Sequence, residues 1–265
     1  MQVIPVLDLL DGHVVRAVRG ERSAYLPIRS SLAATSEPLA IARALLAASG
    51  ARTLYIADLG AILQQRAHIE TLAALRAALP GIDIWLDAGY ADFASMQALF
   101  ARIDASNQHP QHPQHALATL VPVFGTESLQ DIHALRAAET AASPASPTSP
   151  ISPTSPTSPI LSLDHRAGQL LSAAAVHERP EPARSWWPRR VIAMTLDQVG
   201  SYDGPDLATF ERIRASAPAD TQVIGAGGIR DRGDLTAAAR TGASAWLVAS
   251  ALHDGRIGLP LAAST

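Results

Sequence analysis

The chain contains no cysteine, which excludes disulfides, a thiolate nucleophile and a cysteine-ligated metal. A reducing compartment suits such a chain, and a cytoplasmic location is the expectation. Long apolar runs are also missing: no window approaches the roughly 18 uncharged apolar residues of a membrane span, so no membrane partner is expected. Positive charge is scarce, with 21 Lys and Arg against 24 Asp and Glu for a formal charge of -3, and the arginines are scattered. Without a basic stripe nucleic acid is not an expected partner. Phosphate remains eligible, because backbone N–H groups hold anions without lysine. The N-terminus shows no basic region followed by a long apolar stretch, and Met1 runs straight into Val3-Ile4-Pro5-Val6-Leu7-Asp8. An unprocessed chain is therefore expected.

What is present is a hydrophobic content of 48% over 265 residues, enough for one large core, so residues 1–265 are expected to form a single domain. Short apolar runs ending in small or acidic residues alternate with Ala/Leu-rich stretches of helical period. This alternation predicts strands over Gln2–Leu7, Thr53–Ala57, Asp83–Leu86, Thr119–Val123, Ile160–Leu163, Val191–Met194, Gln222–Gly225 and Ala245–Val248. Helices are predicted over Pro38–Ser49, His68–Leu79, Phe93–Arg102, Ser128–Ala142, Pro205–Ala215 and Arg232–Thr241, with Ser36, Asp92 and Asp231 as candidate caps. Such an α/β alternation fits a closed parallel (βα)8 barrel, the TIM-barrel fold. The segment Ser172–Trp187 holds Pro180 and Pro182, so its helix should be irregular, with Trp186 and Trp187 packed beneath it rather than forming a lid.

Two low-complexity insertions, about 104–116 and 143–159, interrupt the pattern on the rim opposite the usual active-site face. The second repeats Ser-Pro and Thr-Ser-Pro and is expected to be disordered or polyproline-like. The first brings His109, His112 and His115 close in sequence, but proline in each spacer prevents a helix and nothing orients the rings. No metal and no cofactor are expected.

The two halves of the chain align with one another. Val6-Leu7-Asp8 matches Ser162-Leu163-Asp164, Ala88-Gly89-Tyr90-Ala91-Asp92 matches Gly227-Gly228-Ile229-Arg230-Asp231, and Phe124-Gly125-Thr126 matches Val248-Ala249-Ser250. A duplicated half-barrel accounts for the common order and sets Asp8 and Asp164 on opposite strands at the mouth. Held apart, two carboxyls do not share a proton, so one can serve as base and the other as acid. The structural alternatives are a loop cap for Asp8 and an ion pair with Arg166 for Asp164. After the seventh and eighth strands, Gly227, Gly228, Ala249 and Ser250 stand where barrels of this kind hold phosphate. The matching first-half site is Gly125 and Thr126, where Asp87 and Glu127 would repel an anion, so the two sites should be unequal. Arg16 in the first loop meets a phosphate or carboxylate, or is solvated charge.

The opening Ile4-Pro5-Val6-Leu7-Asp8-Leu9-Leu10-Asp11-Gly12-His13-Val14-Val15-Arg16 resembles the HisA/HisF family of histidine-biosynthesis barrels. The resemblance continues through Leu161–Asp164, Met194-Thr195, Asp203–Asp206 and Ile224–Ile229. It implies an Amadori isomerisation of an aminoaldose phosphate to an aminoketose, with Asp8 as base, Asp164 as ring-opening acid and Thr195 as a supporting donor. Departures lie at recognition positions. Leu86-Asp87-Ala88-Gly89-Tyr90 replaces a glycine triplet, Gly60 stands where a second acid is usual near Asp58, and Ala249 replaces a glycine. The resemblance therefore also admits a HisA-related paralogue, similar to those of methylotrophs and methanogens linked to one-carbon cofactors. Such a protein would be an isomerase, lyase or cyclase on a mono-phosphorylated metabolite, with Asp87 as a polar contact or added acid and Asp58 as a weaker contact. A non-catalytic barrel subunit is the third possibility. The expected partner is a small phosphorylated metabolite, and the expected state is a monomer or small homo-oligomer.

Overall fold

The computed structural model describes residues 1–107, 117–130, 135, 158–173 and 187–258. In chain order the strands are β1 (Gln2–Leu10), β2 (His13–Arg16), β3 (Leu26–Pro27), β4 (Thr53–Asp58), β5 (Asp83–Asp87) and β6 (Thr119–Gly125). There follow β7 (Ile160–Arg166), β8 (Gln169–Leu170), β9 (Arg190–Thr195), β10 (Gln222–Ala226) and β11 (Ala245–Val248). Strands β1, β4, β5, β6, β7, β9, β10 and β11 are parallel neighbours, and β11 pairs back onto β1 from Gln2↔Ala245 to Pro5↔Val248, closing the (βα)8 barrel.

Every predicted strand lies within an observed one. The largest overruns are at β1 and β7, because each continues past the barrel into an antiparallel hairpin, β1 with β2 and β7 with β8. Both hairpins turn through two left-handed residues, Asp11 and Gly12 at φ 48° and 80°, Ala167 and Gly168 at φ 49° and 73°. This is the turn whose twist matches paired strands. The first and fifth barrel strands thus carry the same device, as a half-barrel repeat requires. A second mark of the repeat is the pair of caps Asp92 (φ -158°, ψ -179°) and Asp231 (φ -159°, ψ -172°), each opening the helix after a glycine-bearing loop.

Alternation along the strands divides the buried side chains into two sets. Ile4, Tyr55, Trp85, Val121, Val123, Ile160, Ile192, Ile224 and Leu247 fill the barrel interior. Their strand neighbours Leu54, Ile56, Ile84, Leu86, Leu120, Leu161, Leu163, Val191 and Trp246 face outward into the layer beneath the helices. With both faces covered, the strands read as nearly continuous apolar runs. Truncating a fully buried position such as Leu54 to alanine would cost about 2–5 kcal/mol.

The outer helices are α1 (Pro38–Ser49), α2 (Leu59–Gln64), α3 (Ile69–Ala78), α4 (Phe93–Ser106), α5 (Leu207–Ser216), α6 (Arg232–Arg240) and the short α7 (Ser250–His253). The cap of α1 is Glu37, not Ser36: the Glu37 carboxylate accepts from Leu39 N at 3.0 Å and Ala40 N at 2.7 Å. Ser36 instead ties α1 to the first hairpin, its carbonyl accepting from Val14 N and its hydroxyl meeting His13 Nδ1. Among the described residues no helix is long and apolar enough to cross a membrane. Trp187 packs into the core as expected. Most of both insertions, the histidine triplet, Trp186 and most of the helices expected over Ser128–Ala142 and Ser172–Trp187 lie outside the described residues.

Candidate active site

A cavity of about 140 Å³ opens at the C-terminal ends of the barrel strands. Its chemistry follows from strand parity. Asp8 shares the face of Ile4, Asp87 that of Trp85, Gly125 that of Val123, and Asp164 that of Ile160, so all four project inward and line the cavity together with Tyr55.

Asp8 and Asp164 stand on the first and fifth barrel strands, opposite one another as expected. Among the described residues no donor reaches the Asp8 carboxylate, and burial pushes its pKa up to about 7. Asp164 is also pushed up to about 7, first by burial and then by the charge of Asp87, while hydrogen bonds from Ser162 and Glu127 N pull the other way. Those two bonds hold its carboxylate from opposite sides, Ser162 Oγ to Oδ1 at 2.7 Å and Glu127 N to Oδ2 at 3.2 Å. Among the described residues neither structural alternative is realised: Asp8 caps nothing, and Arg166 forms no ion pair with Asp164. Arg166 lines the cavity with its guanidinium against Gly20.

Asp87 and Asp164 approach each other over Gly125. A Cβ on Gly125 would lie 2.8 Å from Asp164 Oδ2 and 3.6 Å from Asp87 Oδ2, so a side chain there would displace the Asp164 carboxylate. The Tyr55 hydroxyl donates to Asp87 Oδ2 at 3.1 Å. Burial and the neighbouring Asp87, Asp164 and Asp8 hold the Tyr55 pKa well above its ordinary value, so it stays a donor. Sequence reasoning passed over Tyr55 and Ser162; the alternation of β4 and β7 was the signal that could have found them.

Four expected site residues are placed otherwise. Thr195 follows the inward Met194 and so faces outward; its hydroxyl donates to Ala226 O at 3.1 Å and braces the loop after β10. Asp58, next to the inward Ala57, is fully buried at the start of α2, where it accepts from Ala61 N and His68 N and pairs with His68 Nδ1 at 2.7 Å. Thr126, next to Gly125, accepts from Asp164 N at 3.0 Å through its hydroxyl. Arg16 is held at the rim by Tyr202 and Asp254, each at 2.7 Å. None of these four lines the cavity.

The two candidate anion sites differ in kind. After β6 the backbone donors are engaged: Thr126 N by Ser162 O, Glu127 N by Asp164, and Ser128 N and Leu129 N by Gly125 O. After β5, Gly89 N is held by Asp87 Oδ1 at 3.1 Å. At Gly125 and Thr126, where phosphate was expected, the loop has turned its N–H groups to internal acceptors and is flanked by carboxylates. In the second half Gly227, Gly228, Ala249 and Ser250 all line the cavity, and among the described residues no acceptor takes their N–H groups. Gly227 and Gly228 have φ 94° and 84°, and a side chain on Gly228 would collide with the Gly204 carbonyl. The Trp246 indole fixes the turn by donating to Gly227 O at 3.1 Å.

A duplicated (βα)8 barrel, with paired carboxyls across its mouth and an open glycine loop on one side, defines the class of protein. The chain belongs to the histidine biosynthesis protein family, whose sequence pattern matches residues 2–107 and 181–258. It is 34% identical over 98 residues to the 1-(5-phosphoribosyl)-5-((5-phosphoribosylamino)methylideneamino)imidazole-4-carboxamide isomerase of Methylococcus capsulatus, a match covering 37% of each chain. It is 41% identical over 63 residues to an uncharacterized protein of Methanocaldococcus jannaschii, covering 24% of this chain and 27% of that one. The chain thus matches well under half the length of either relative.

Proposed function

We propose that this barrel isomerises a phosphorylated aldose derivative to the corresponding ketose by proton transfer between Asp8, Asp164 and the substrate, the phosphate resting on the loops at Gly227-Gly228 and Ala249-Ser250. One observation carries the reading: two carboxyls on opposite walls of a single cavity, each held near pH 7. At that value each is divided between its forms, so an ionised Asp8 and a protonated Asp164 coexist in a useful fraction of molecules.

In the Amadori case, Asp164 gives its proton to the ring oxygen as the C1–O bond breaks, leaving an iminium at C1. Asp8 then removes the C2 proton to form the enaminol. Transfer of a proton to C1 and loss of the 2-hydroxyl proton yield the aminoketose and restore both carboxyls, with no net gain of atoms or electrons. Ser162 and Glu127 N orient Asp164, and Thr195 steadies the loop after β10. The histidine-pathway relative names one substrate to try, and single-phosphate aminoaldoses supply others.

The test is an isomerase assay over pH. The expected kcat/KM profile is bell-shaped near pH 7, and Asp8→Asn lowers turnover by about 10²–10⁴-fold with an unchanged circular dichroism spectrum. An active Asp8→Asn protein would remove Asp8 from the mechanism.

A further inference from the structure

Resting on the anion site proposed above, we infer that the substrate carries a single phosphate, and that Asp87 with the closed loop after β6 makes the opposite wall refuse a second one. Three independent features of that wall agree. Its donors are engaged, since Thr126 N, Ser128 N and Leu129 N are held by carbonyls and Glu127 N by Asp164. Gly89 N, the glycine donor after β5, is turned onto Asp87 Oδ1. The space such donors would serve is bordered by Asp87, Glu127 and Asp164, with Tyr55 anchoring Asp87 in place.

An arriving phosphate dianion would therefore find the N–H groups of Gly89 and Thr126 to Leu129 already engaged and would lie against carboxylates, an arrangement that costs free energy at any ordinary separation. The wall instead offers carboxylate oxygens, which accept hydrogen bonds from hydroxyl or amino groups of the substrate. Across the cavity the Gly227-Gly228 and Ala249-Ser250 loops present N–H groups that no described residue uses. Duplication supplied both walls, and only the second retains anion chemistry. Among the described residues Arg166 is the cation that lines the cavity, placed against Gly20, and it is the group through which a second phosphate would have to be held.

The experiment is calorimetric titration of the full chain with inorganic phosphate, ribose 5-phosphate and ribulose 1,5-bisphosphate. The inference expects one phosphate per chain, and a bisphosphate that binds no more than about threefold tighter than the monophosphate. In Asp87→Asn the ratio of bisphosphate to monophosphate affinity rises about tenfold, as the like charge is removed. Two phosphates per chain, or a bisphosphate about a hundredfold tighter in the wild type, would overturn the single-phosphate inference while leaving the anion site standing. An unchanged ratio in Asp87→Asn would overturn the role of Asp87. No binding of any of the three would overturn the anion site itself, and the inference with it.

Discussion

At Asp164 five influences meet: burial, Asp87 and the Glu127 charge push its pKa up, while the Ser162 hydroxyl and Glu127 N pull it down. Two of them have a distinguishable variant. Asp87→Asn removes a raising charge, so the Asp164 titration should move below 7; Ser162→Ala removes a stabilising donor to the carboxylate, so it should move above. Carbon-13 NMR of the labelled Asp164 carboxyl reads both directly, and shifts of the opposite sign would refute this account of the network. Asp8 differs in that burial alone raises it. Its titration should be insensitive to either variant.

The Asp caps are the elements in which local sequence and function meet. Asp231 accepts from Gly233 N at 2.8 Å and Asp234 N at 3.1 Å, opening α6 directly after the Gly227-Gly228 turn. Asp92 does the same for α4, accepting from Ser95 N at 2.7 Å beside the closed first-half wall. Alanine at either position should cost about 1 kcal/mol and lower Tm by roughly 2–4 °C. Only Asp231→Ala should also weaken phosphate binding, because only its helix follows the open loop; equal losses of affinity in both variants would contradict the asymmetry. Both caps were legible from Asp beside a glycine-bearing loop. The cap of α1 was not, because Ser36 is drawn away by Val14 and His13, residues of a hairpin more than twenty positions earlier in the chain.

For the whole molecule the two raised carboxyls set a pH dependence of stability. Their folded-state values near 7 lie above the ordinary 3.8, so the fold favours the protonated forms. Their contribution is complete below about pH 4 and is lost as the pH climbs through 7, at a limiting rate of about 1.4 kcal/mol per unit for each group. The carboxylates held below their usual range, such as Asp234 beside Arg230 and Asp254 beside Arg16, act in the opposite sense and in more acid solution. Scanning calorimetry should therefore show Asp8→Asn more stable than the wild type at pH 8 and nearly equal to it at pH 4. A variant destabilised at pH 8 would mean that Asp8 holds the barrel together rather than serving its cavity.

The sequence by itself determined the barrel, its repeat and the placement of Asp8 and Asp164 at the mouth. These depend on period-two alternation and on small or acidic strand ends, which are local properties of the chain. Motif position suggested site roles for Thr195, Asp58 and Thr126, whereas in the structure each stands one residue from an inward neighbour and off the cavity. Only the tertiary structure decided which glycine loop can still receive an anion. The acceptors that close the first-half loop, Ser162 O and the Asp164 carboxylate, belong to a strand across a long insertion from Thr126 and Glu127. Whether an N–H group is free depends on what lies opposite it in space, and that is settled when the strands meet.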